Sequence, residues 1–236
     1  MIYAVILAAG TGTRLKSANI PKQFIKIKDA TLLELVTEKF LIAPNIDKVV
    51  VVSNSVWVEQ TRDLLRGRKY SDVLICEGGE TRQESLYKAL KFLQENFKVN
   101  HDDIIISHDV ARPFITLRII KDNIEGLKKY KVVDTVVPAS DTIVQSENGT
   151  SISAIPLRKN MYQGQTPQSF YLLDYVKLYE EADRDYLNTL TDAAKLFVEK
   201  GFEVGLVRGE IFNIKITDDF DLYMAKSLLG VVEDGD

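Results

Sequence analysis

The sequence predicts an α/β fold: a Rossmann-like, mostly parallel sheet with helices on both faces. Short β-branched segments recur along the chain, separated by segments with apolar residues at three- and four-residue spacing. The predicted strands cover residues 2–8, 48–53, 73–76, 104–107 and 132–138, and the predicted helices cover residues 31–43, 56–66, 81–97 and 117–130. Such alternation is typical of parallel strands joined by crossover helices.

Local signals place several element boundaries. Thr31 to Glu34 and Thr81 to Glu84 have the pattern of a capping box, which marks a helix start. After residue 140 the helical period stops, and Asn148-Gly149 lies between short extended pieces, so an extended β-arm is predicted over residues 140–165. The rest of the chain predicts helices over 169–182 and 190–200, strands over 203–208 and 213–216, and a closing helix that ends at about residue 229.

Length and composition indicate a soluble globular protein. A chain of 236 residues can bury one substantial core but is short for two full domains, so residues 1–236 are predicted to form a single domain. No apolar run approaches the roughly 18 to 20 residues that cross a bilayer. The apolar segment 1–9 lacks a basic leader and runs directly into Gly10, so it is interpreted as a buried strand and not as a signal peptide.

Charge and cysteine content narrow the partners and the compartment. The formal net charge is -4 and no basic block occurs, so neither nucleic acid nor membrane is an expected partner. The single cysteine, Cys76, cannot form an intrachain disulfide, and a cytoplasmic location is expected. Two histidines and one cysteine cannot build the usual zinc site. Any metal is therefore expected to be a hard cation held by carboxylate and phosphate oxygens.

The first predicted strand ends in a glycine-containing loop, Leu7-Ala-Ala-Gly-Thr-Gly-Thr-Arg14. Small residues allow the backbone to approach a ligand closely, and free N–H groups there can cradle phosphate oxygens. A dinucleotide fingerprint would need glycine where Leu15 stands, and a P-loop would need Gly-Lys-Ser/Thr. Arg14 and Lys22 could instead converge on a triphosphate. The alternative is that the glycines only make a tight turn and that both cations are solvated.

The motif that runs from Ala8 to Leu15, followed by Pro21-Lys22-Gln-Phe24, resembles the signature of the cytidylyltransferases of the isoprenoid-precursor and ribitol-phosphate type. The resemblance implies a fold of the nucleotide-diphospho-sugar transferase type with CTP bound at the loop. Arg14 and Lys22 would stabilise charge on the α-phosphorus, the role that cations have in phosphoryl-type transfer. The loop residues implied to contact CTP are Leu7, Ala8, Ala9 and Gly10.

A second motif, Gly78-Gly-Glu-Thr-Arg-Gln-Glu-Ser85, places two glycines and a polar cluster at a predicted helix start, where backbone N–H groups lack partners. A cap with a solvated polar face would explain part of this pattern but not the paired glycines. In the resembled family a similar stretch recognises the cytosine ring and ribose. The resemblance therefore implies that CTP is also bound by Gly79, Glu80, Thr81, Arg82 and Ser85.

A third motif, His108-Asp-Val-Ala-Arg-Pro-Phe114, follows an apolar predicted strand and also matches the family. Asp109 falls just beyond the carboxyl end of that strand, where open α/β sheets bind ligands. Asp109 is the predicted ligand of Mg²⁺, an ion that takes much of its shell from water and phosphate. His108 is interpreted as a structural hydrogen-bonding residue. Related sugar nucleotidyltransferases carry a second metal aspartate where Thr217 stands, which leaves the role of Asp218 open.

The second substrate is expected to be a phosphate monoester, whose oxygen is already anionic and needs no general base. Such a reaction needs cations that hold two phosphates in line. Arg158 in the arm and Lys215 fall where the family places its acceptor-phosphate cations, and Thr142 is a further candidate. Ordinary surface charge is the alternative for both cations.

The acceptor expected from the arm is ribitol 5-phosphate. Ile155-Pro-Leu-Arg158 and Tyr162-Gln-Gly164 resemble the ribitol-5-phosphate enzymes more closely than the 2-C-methyl-D-erythritol 4-phosphate enzymes, which are the alternative. The products would be pyrophosphate and CDP-ribitol, a precursor of teichoic acid-type cell-wall polymers.

The sequence leaves two other functions open. A nucleotide-binding module without turnover would be favoured if Arg14 or Lys22 were absent, and a sugar-1-phosphate nucleotidyltransferase would be expected to keep the second metal aspartate.

The resemblance also implies a homodimer in which the arm, residues 140–165, brings Arg158 towards the site of the partner.

Overall fold

The computed structural model describes residues 1–10 and 20–230. In chain order the strands of this part are β1 (Ile2–Ala8), β2 (Lys26–Ile27), β3 (Ala30–Thr31), β4 (Lys48–Ser53), β5 (Val73–Glu77), β6 (Ile104–Asp109), β7 (Val132–Pro138), β8 (Tyr162–Tyr171) and β9 (Val204–Arg208). The α-helices are α1 (Leu32–Leu41), α2 (Val58–Leu64), α3 (Arg82–Asn96), α4 (Leu117–Gly126), α5 (Leu172–Glu180), α6 (Arg184–Thr189), α7 (Ala194–Glu199) and α8 (Asp219–Leu228). None of these helices is long and apolar enough to cross a membrane.

Seven strands form one sheet in the order β5-β4-β1-β6-β8-β7-β9, and β2 and β3 form a separate antiparallel pair. Strands β5, β4, β1 and β6 run parallel to one another, and β7 and β9 form a second parallel pair. Strand β8 is antiparallel to β6 and β7. The predicted mostly parallel sheet is confirmed. In the register of β1 and β6, Leu7 pairs with Asp109, so two of the predicted motifs meet at one sheet edge.

Hydrophobic clusters cover both faces of the sheet. Alternate residues of β1 point to opposite faces because the side-chain period of a strand is two. Tyr3 and Val5 belong to a cluster that includes residues of α3, α5 and α7, whereas Ala4 and Ile6 belong to one that includes residues of α1 and α4. All four residues are fully buried. The prediction of helices on both faces is therefore also confirmed.

Strand β8 corrects the prediction for residues 162–171. The sequence predicts that the arm ends at residue 165 and that a helix begins at residue 169, but residues 162–171 form a ten-residue strand, and α5 begins only at Leu172. The buried side chains of β8 are largely polar, which hides the strand pattern. The amide of Gln168 donates to Asp134 and accepts from the N–H of Ala193, so hydrogen bonds satisfy a polar side chain in the interior.

The arm is less regular than predicted. Between β7 and β8 the chain contains one isolated antiparallel bridge, Gln145 with Ala154, on either side of the predicted turn at Asn148-Gly149. Gly149 has φ of +72°, a conformation that favours glycine. The apolar side chains of Val144, Ile152, Ile155 and Leu157 are more than half exposed. Dimerisation through this segment stays a prediction.

Two further differences lie in the C-terminal part, and a third lies at the start of α3. The predicted strand over 213–216 is a segment without sheet pairing that connects β9 to α8. The predicted helix over 190–200 is the shorter α7, and α6 precedes it. The capping box at Thr31 is confirmed, but at Thr81 only the hydroxyl half is present, because Glu84 accepts from the N–H of Glu80 instead.

Candidate active site

A cavity of about 310 Å³ lies at the carboxyl ends of β1 and β6. Gln23, Val110 and Ala111 contribute to its wall. The predicted site residues that line it are Leu7, Ala9, Gly10, Lys22, Gly79, Glu80, Thr81, Arg82, Ser85, Asp109 and Lys215. Three sequence motifs and the segment before α8 therefore contribute to one cavity.

Three of the predicted site residues that the structure describes are not in this lining. Ala8 is a buried residue of β1. Arg14 lies outside the described residues. Thr142 and Arg158 lie in the arm, where Nη1 of Arg158 donates a hydrogen bond to the carbonyl oxygen of Ser140 at 3.0 Å. A single copy of the chain thus does not bring the arm residues to the cavity.

Asp109 holds two cations at the cavity wall. Its Oδ1 accepts from Nε of Arg82 at 3.0 Å, and its Oδ2 accepts from Nζ of Lys215 at 2.7 Å. Burial by itself would raise the pKa of Asp109, but the charges of Arg82 and Lys215 and their hydrogen bonds outweigh burial and hold that pKa well below its usual range. Asp109 is therefore an anion at neutral pH.

Arg82 retains unused donors at the cavity. Nη1 and Nη2 are buried and have no hydrogen-bond partner in the part of the chain that the structure describes. A buried donor without an acceptor is costly. The contact that the structure shows for this guanidinium is the one through Nε, which holds the Asp109 carboxylate.

Lys22 and the glycine motif form other parts of the wall. Nζ of Lys22 donates to the carbonyl oxygen of Ile216 at 2.9 Å, which joins the Pro21-Lys22 part of the first motif to the segment that carries Lys215. A Cβ on Gly78 would lie 2.7 Å from Cβ of Ala9 and 2.9 Å from Oγ of Ser85. Glycine at this position therefore allows the two motifs to approach each other.

The start of α3 already satisfies several of its own donors. The hydroxyl of Thr81 accepts from the N–H of Glu84, and Oγ of Ser85 accepts from the N–H of Gly79 at 3.0 Å. The carboxylate of Glu84 accepts from the N–H of Glu80. These contacts shape a rigid wall, and this part of the site is more suited to positioning a base and ribose than to holding a bare phosphate.

His108 is fully buried, and both of its ring nitrogens are within hydrogen-bond distance of partners: Nε2 lies 3.0 Å from the carbonyl oxygen of Arg112, and Nδ1 lies 3.0 Å from Oγ1 of Thr166. Burial lowers the pKa of His108 to about 4, so the ring is neutral at pH 7. This agrees with its interpretation as a structural residue. The sequence analysis assigns no role to Arg112, which lies in the third motif, or to Thr166.

The donor set fits a magnesium ion held by one protein carboxylate. Within residues 1–10 and 20–230, no three His, Cys, Asp or Glu side chains form a group that could hold a metal ion. Each oxygen of Asp109 accepts one hydrogen bond and keeps a lone pair, so this carboxylate could add one ligand to oxygens from phosphate and water. The carboxylate of Asp218 instead caps α8 by accepting from the N–H of Asp221.

Comparisons with known proteins agree with this geometry. The model of the 2-C-methyl-D-erythritol 4-phosphate cytidylyltransferase (IspD) family matches residues 2–231. The 4-diphosphocytidyl-2C-methyl-D-erythritol synthase of Anaerococcus prevotii is 27% identical, with a TM-score of 0.81 over 98% of this chain and 96% of that chain. The 2-C-methyl-D-erythritol 4-phosphate cytidylyltransferase of Francisella tularensis is 30% identical, with a TM-score of 0.79 over 96% and 98% of the two chains.

The corresponding enzyme of Thermus thermophilus is 28% identical, with a TM-score of 0.75 over 98% of this chain and 100% of that chain. The similarity thus extends over nearly the whole length of each protein. The chain belongs to the 2-C-methyl-D-erythritol 4-phosphate cytidylyltransferase family and is a CTP-dependent nucleotidyltransferase.

Proposed function

We propose that this protein transfers the cytidylyl group of CTP to the phosphate of an acyclic polyol phosphate. An acceptor phosphate oxygen attacks the α-phosphorus of CTP in line, a new P–O bond forms, and the bond to the bridging oxygen breaks to release pyrophosphate. The observation that carries the proposal is the convergence of Lys22, Arg82, Asp109 and Lys215 on the cavity that the glycine motifs line.

Positioning and charge stabilisation supply the catalysis in this mechanism. Lys22 lies in the cavity wall together with Ala9 and Gly10 of the first motif, where its charge would stabilise the transition state at the α-phosphorus. Lys215 would bind the acceptor phosphate and reduce repulsion between the two anions. No general base is needed because the acceptor oxygen is already anionic, and the neutral, buried His108 is consistent with that.

Magnesium is the metal that this site suits best. We assign Asp109 as its protein ligand, with the remaining ligands from triphosphate oxygens and water. When bound, the ion would neutralise phosphate charge. The residues of the chain orient the reactants around it: Arg82 and Lys215 hold the Asp109 carboxylate from two sides.

The comparisons support 2-C-methyl-D-erythritol 4-phosphate as the acceptor. This substrate appears in the description of the matching family, which covers residues 2–231, and in the names of similar structures. They favour it over ribitol 5-phosphate, the acceptor expected from the sequence. We therefore take it as the first candidate, with isoprenoid-precursor synthesis as the corresponding role.

Ribitol 5-phosphate is the second candidate because of the arm. Ile155-Pro-Leu-Arg158 and Tyr162-Gln-Gly164 resemble the ribitol-5-phosphate enzymes. Both acceptors are acyclic polyol phosphates, so the same cavity chemistry serves either, and residues outside the cavity are expected to discriminate between them.

The test measures pyrophosphate release with CTP and Mg²⁺ in parallel reactions that contain either polyol phosphate. Release only with the methylerythritol phosphate supports the first candidate, and release only with ribitol 5-phosphate supports the second. Lys22→Ala is the control, because it should reduce release with either acceptor. A CTP-binding protein that releases no pyrophosphate with either acceptor would instead be a nucleotide-binding module.

A further inference from the structure

Lys215 lies on a segment that no sheet pairing holds. The chain between β9 and α8 makes few backbone hydrogen bonds, among them the N–H of Ile216 to the carbonyl oxygen of Ala111 at 2.8 Å. A lysine side chain has four flexible bonds, and misplacement by about 1 Å can cost on the order of 100-fold in rate. Something other than the sheet must therefore hold this segment in register with Asp109.

Asn213, two residues before Lys215, is fully buried and anchors the segment. Its Nδ2 donates to the carbonyl oxygen of Thr166 at 3.1 Å and to Oε1 of Gln165 at 3.3 Å, both in β8. Its own carbonyl oxygen accepts from Nη1 of Arg112 at 2.9 Å. The side chain and the backbone of Asn213 are thus tied to two different parts of the site.

These contacts close into a ring of hydrogen bonds through Asn213, Thr166, His108 and Arg112. Oγ1 of Thr166 bonds Nδ1 of His108 at 3.0 Å, and Nε2 of His108 bonds the carbonyl oxygen of Arg112 at 3.0 Å. A carbonyl oxygen only accepts, so Nε2 carries the hydrogen, and in the neutral ring Nδ1 accepts from the Thr166 hydroxyl. That hydroxyl also accepts from the N–H of Asp109 at 3.2 Å.

The ring therefore joins the backbone of Asp109 to the segment that carries Lys215. His108 and Asn213 are fully buried and Thr166 is nearly so, and buried hydrogen bonds are both stronger and more costly to lose than exposed ones. We propose that Asn213 is a positioning residue, which acts through this ring to place Lys215 for binding of the acceptor phosphate. This inference rests on the proposed function of Lys215.

The first test compares Asn213→Ala with Asn123→Ala. Asn123 is a matched control: it is fully buried in α4 and hydrogen-bonds Ile119, Thr135 and Ser169, but none of the ring residues. Asn213→Ala should raise the KM for the polyol phosphate about tenfold and change the KM for CTP less than about twofold. Asn123→Ala should lower the Tm and leave both KM values unchanged. Equal effects of the two variants on both substrates would overturn the proposal.

A double-mutant cycle tests whether Asn213 acts through Lys215. If it does, Asn213→Ala adds nothing to the loss of kcat/KM for the acceptor in Lys215→Ala, whereas fully additive losses contradict the proposal. Should Asn213→Ala fail to fold, Thr166→Val breaks the same ring, and Thr166→Ser, which keeps the hydroxyl, should restore the acceptor KM. If Thr166→Ser does not restore the KM for the acceptor, the proposed role of the ring is wrong.

A crystal structure separates this inference from the proposed function. In Asn213→Ala, or in Thr166→Val, the contact between Nζ of Lys215 and Oδ2 of Asp109 should be lost, while in Asn123→Ala it should remain. If the contact between Lys215 and Asp109 is unchanged in these variants, Asn213 does not position Lys215, whichever acceptor the enzyme uses. If neither polyol phosphate is a substrate, the proposed function fails, and this distance still decides whether the ring positions Lys215.

Discussion

Nζ of Lys215 lies 2.7 Å from Oδ2 of Asp109, although the two residues are 106 positions apart in the chain. The same carboxylate holds Arg82, so one anion organises two cations from different elements. Because the proposed reaction brings two phosphates together, the placement of these cations determines what the site can bind. Substitutions of Lys215, Arg82 and Arg158 test this arrangement, and substitutions of Asp134 and Asp218 test two other charged groups.

Lys215→Ala should lower kcat/KM for the polyol phosphate on the order of 100-fold, the scale for removing one group that stabilises a transition state. The affinity for CTP should fall much less, because Lys22 and the glycine motifs remain. Steady-state kinetics with each substrate varied in turn would measure this. Lys128→Ala is the control, since Lys128 is exposed and pairs with Glu125 outside the cavity. A loss confined to CTP would contradict the assigned role.

Arg82→Met should destabilise the fold as well as the site. Only 11% of the Asp109 side chain is exposed, and removing one partner of a buried ion pair costs about 3 kcal/mol. Urea denaturation would give the change in the free energy of unfolding. Arg62→Met, which breaks the exposed pair with Glu59, should change it by less than about 0.5 kcal/mol. Similar values for the two variants would show that Arg82 contributes little to stability.

Arg158 should act in the active site of a partner copy. Arg158→Ala and Lys215→Ala should each have little activity alone, but a mixed dimer contains one site with both residues intact. If subunits exchange freely, an equimolar mixture should therefore recover about a quarter of the wild-type activity. Pyrophosphate release after mixing would measure it. A mixture as inactive as its components would place both residues in the site of the same copy or leave the arm without this role.

Asp134 should make stability depend on pH. Burial, followed by the nearby charge of Asp192, raises the pKa of Asp134 to about 6, whereas in the unfolded chain it is about 3.9. At a pH between these two pKa values, the carboxyl group of Asp134 is ionised in the unfolded chain but protonated in the folded protein. The free energy of unfolding therefore falls as pH rises, by up to about 2 to 3 kcal/mol.

Asp134→Asn removes this ionisation and retains an oxygen that can accept from Gln168, as Oδ1 does in the wild type at 3.0 Å. The variant should match the wild type at pH 4 and be more stable at pH 7. Urea denaturation at several pH values between 4 and 7 would show the difference. If Asp134→Asn is instead less stable than the wild type at pH 7, the contacts of the Asp134 carboxylate stabilise its charged form by more than burial destabilises it.

Asp218 should contribute a helix cap and no metal ligand. Its side chain accepts from the N–H of Asp221 at the start of α8. Asp218→Asn should preserve both the cap and the dependence of the rate on Mg²⁺, and Asp218→Ala should lose about 1 kcal/mol of stability with the same Mg²⁺ dependence. A higher Mg²⁺ requirement in both variants would identify Asp218 as part of the metal site.

The sequence by itself determined six of the seven strands of the large sheet, its helical cover and most of the cavity wall. The apolar strand β1 and the glycines at its end are local signals, since a fully buried strand needs continuous apolar residues and a close ligand approach needs small ones. Asp109 could also be placed from sequence, because it directly follows an apolar strand segment. These features depend on neighbouring residues, which the chain order shows directly.

The tertiary structure alone decided where polar residues are buried. The sequence pattern missed the strand β8 and predicted over residues 213–216 a strand that does not form. In both segments, partners far away in the chain satisfy the polar side chains. Thr166 gives a related case: its hydroxyl bonds both His108 and Asp109 across the sheet. Local periodicity reports which side chains avoid water, but the partner of a buried polar group is set by strand order and register, and these exist only once the chain has folded.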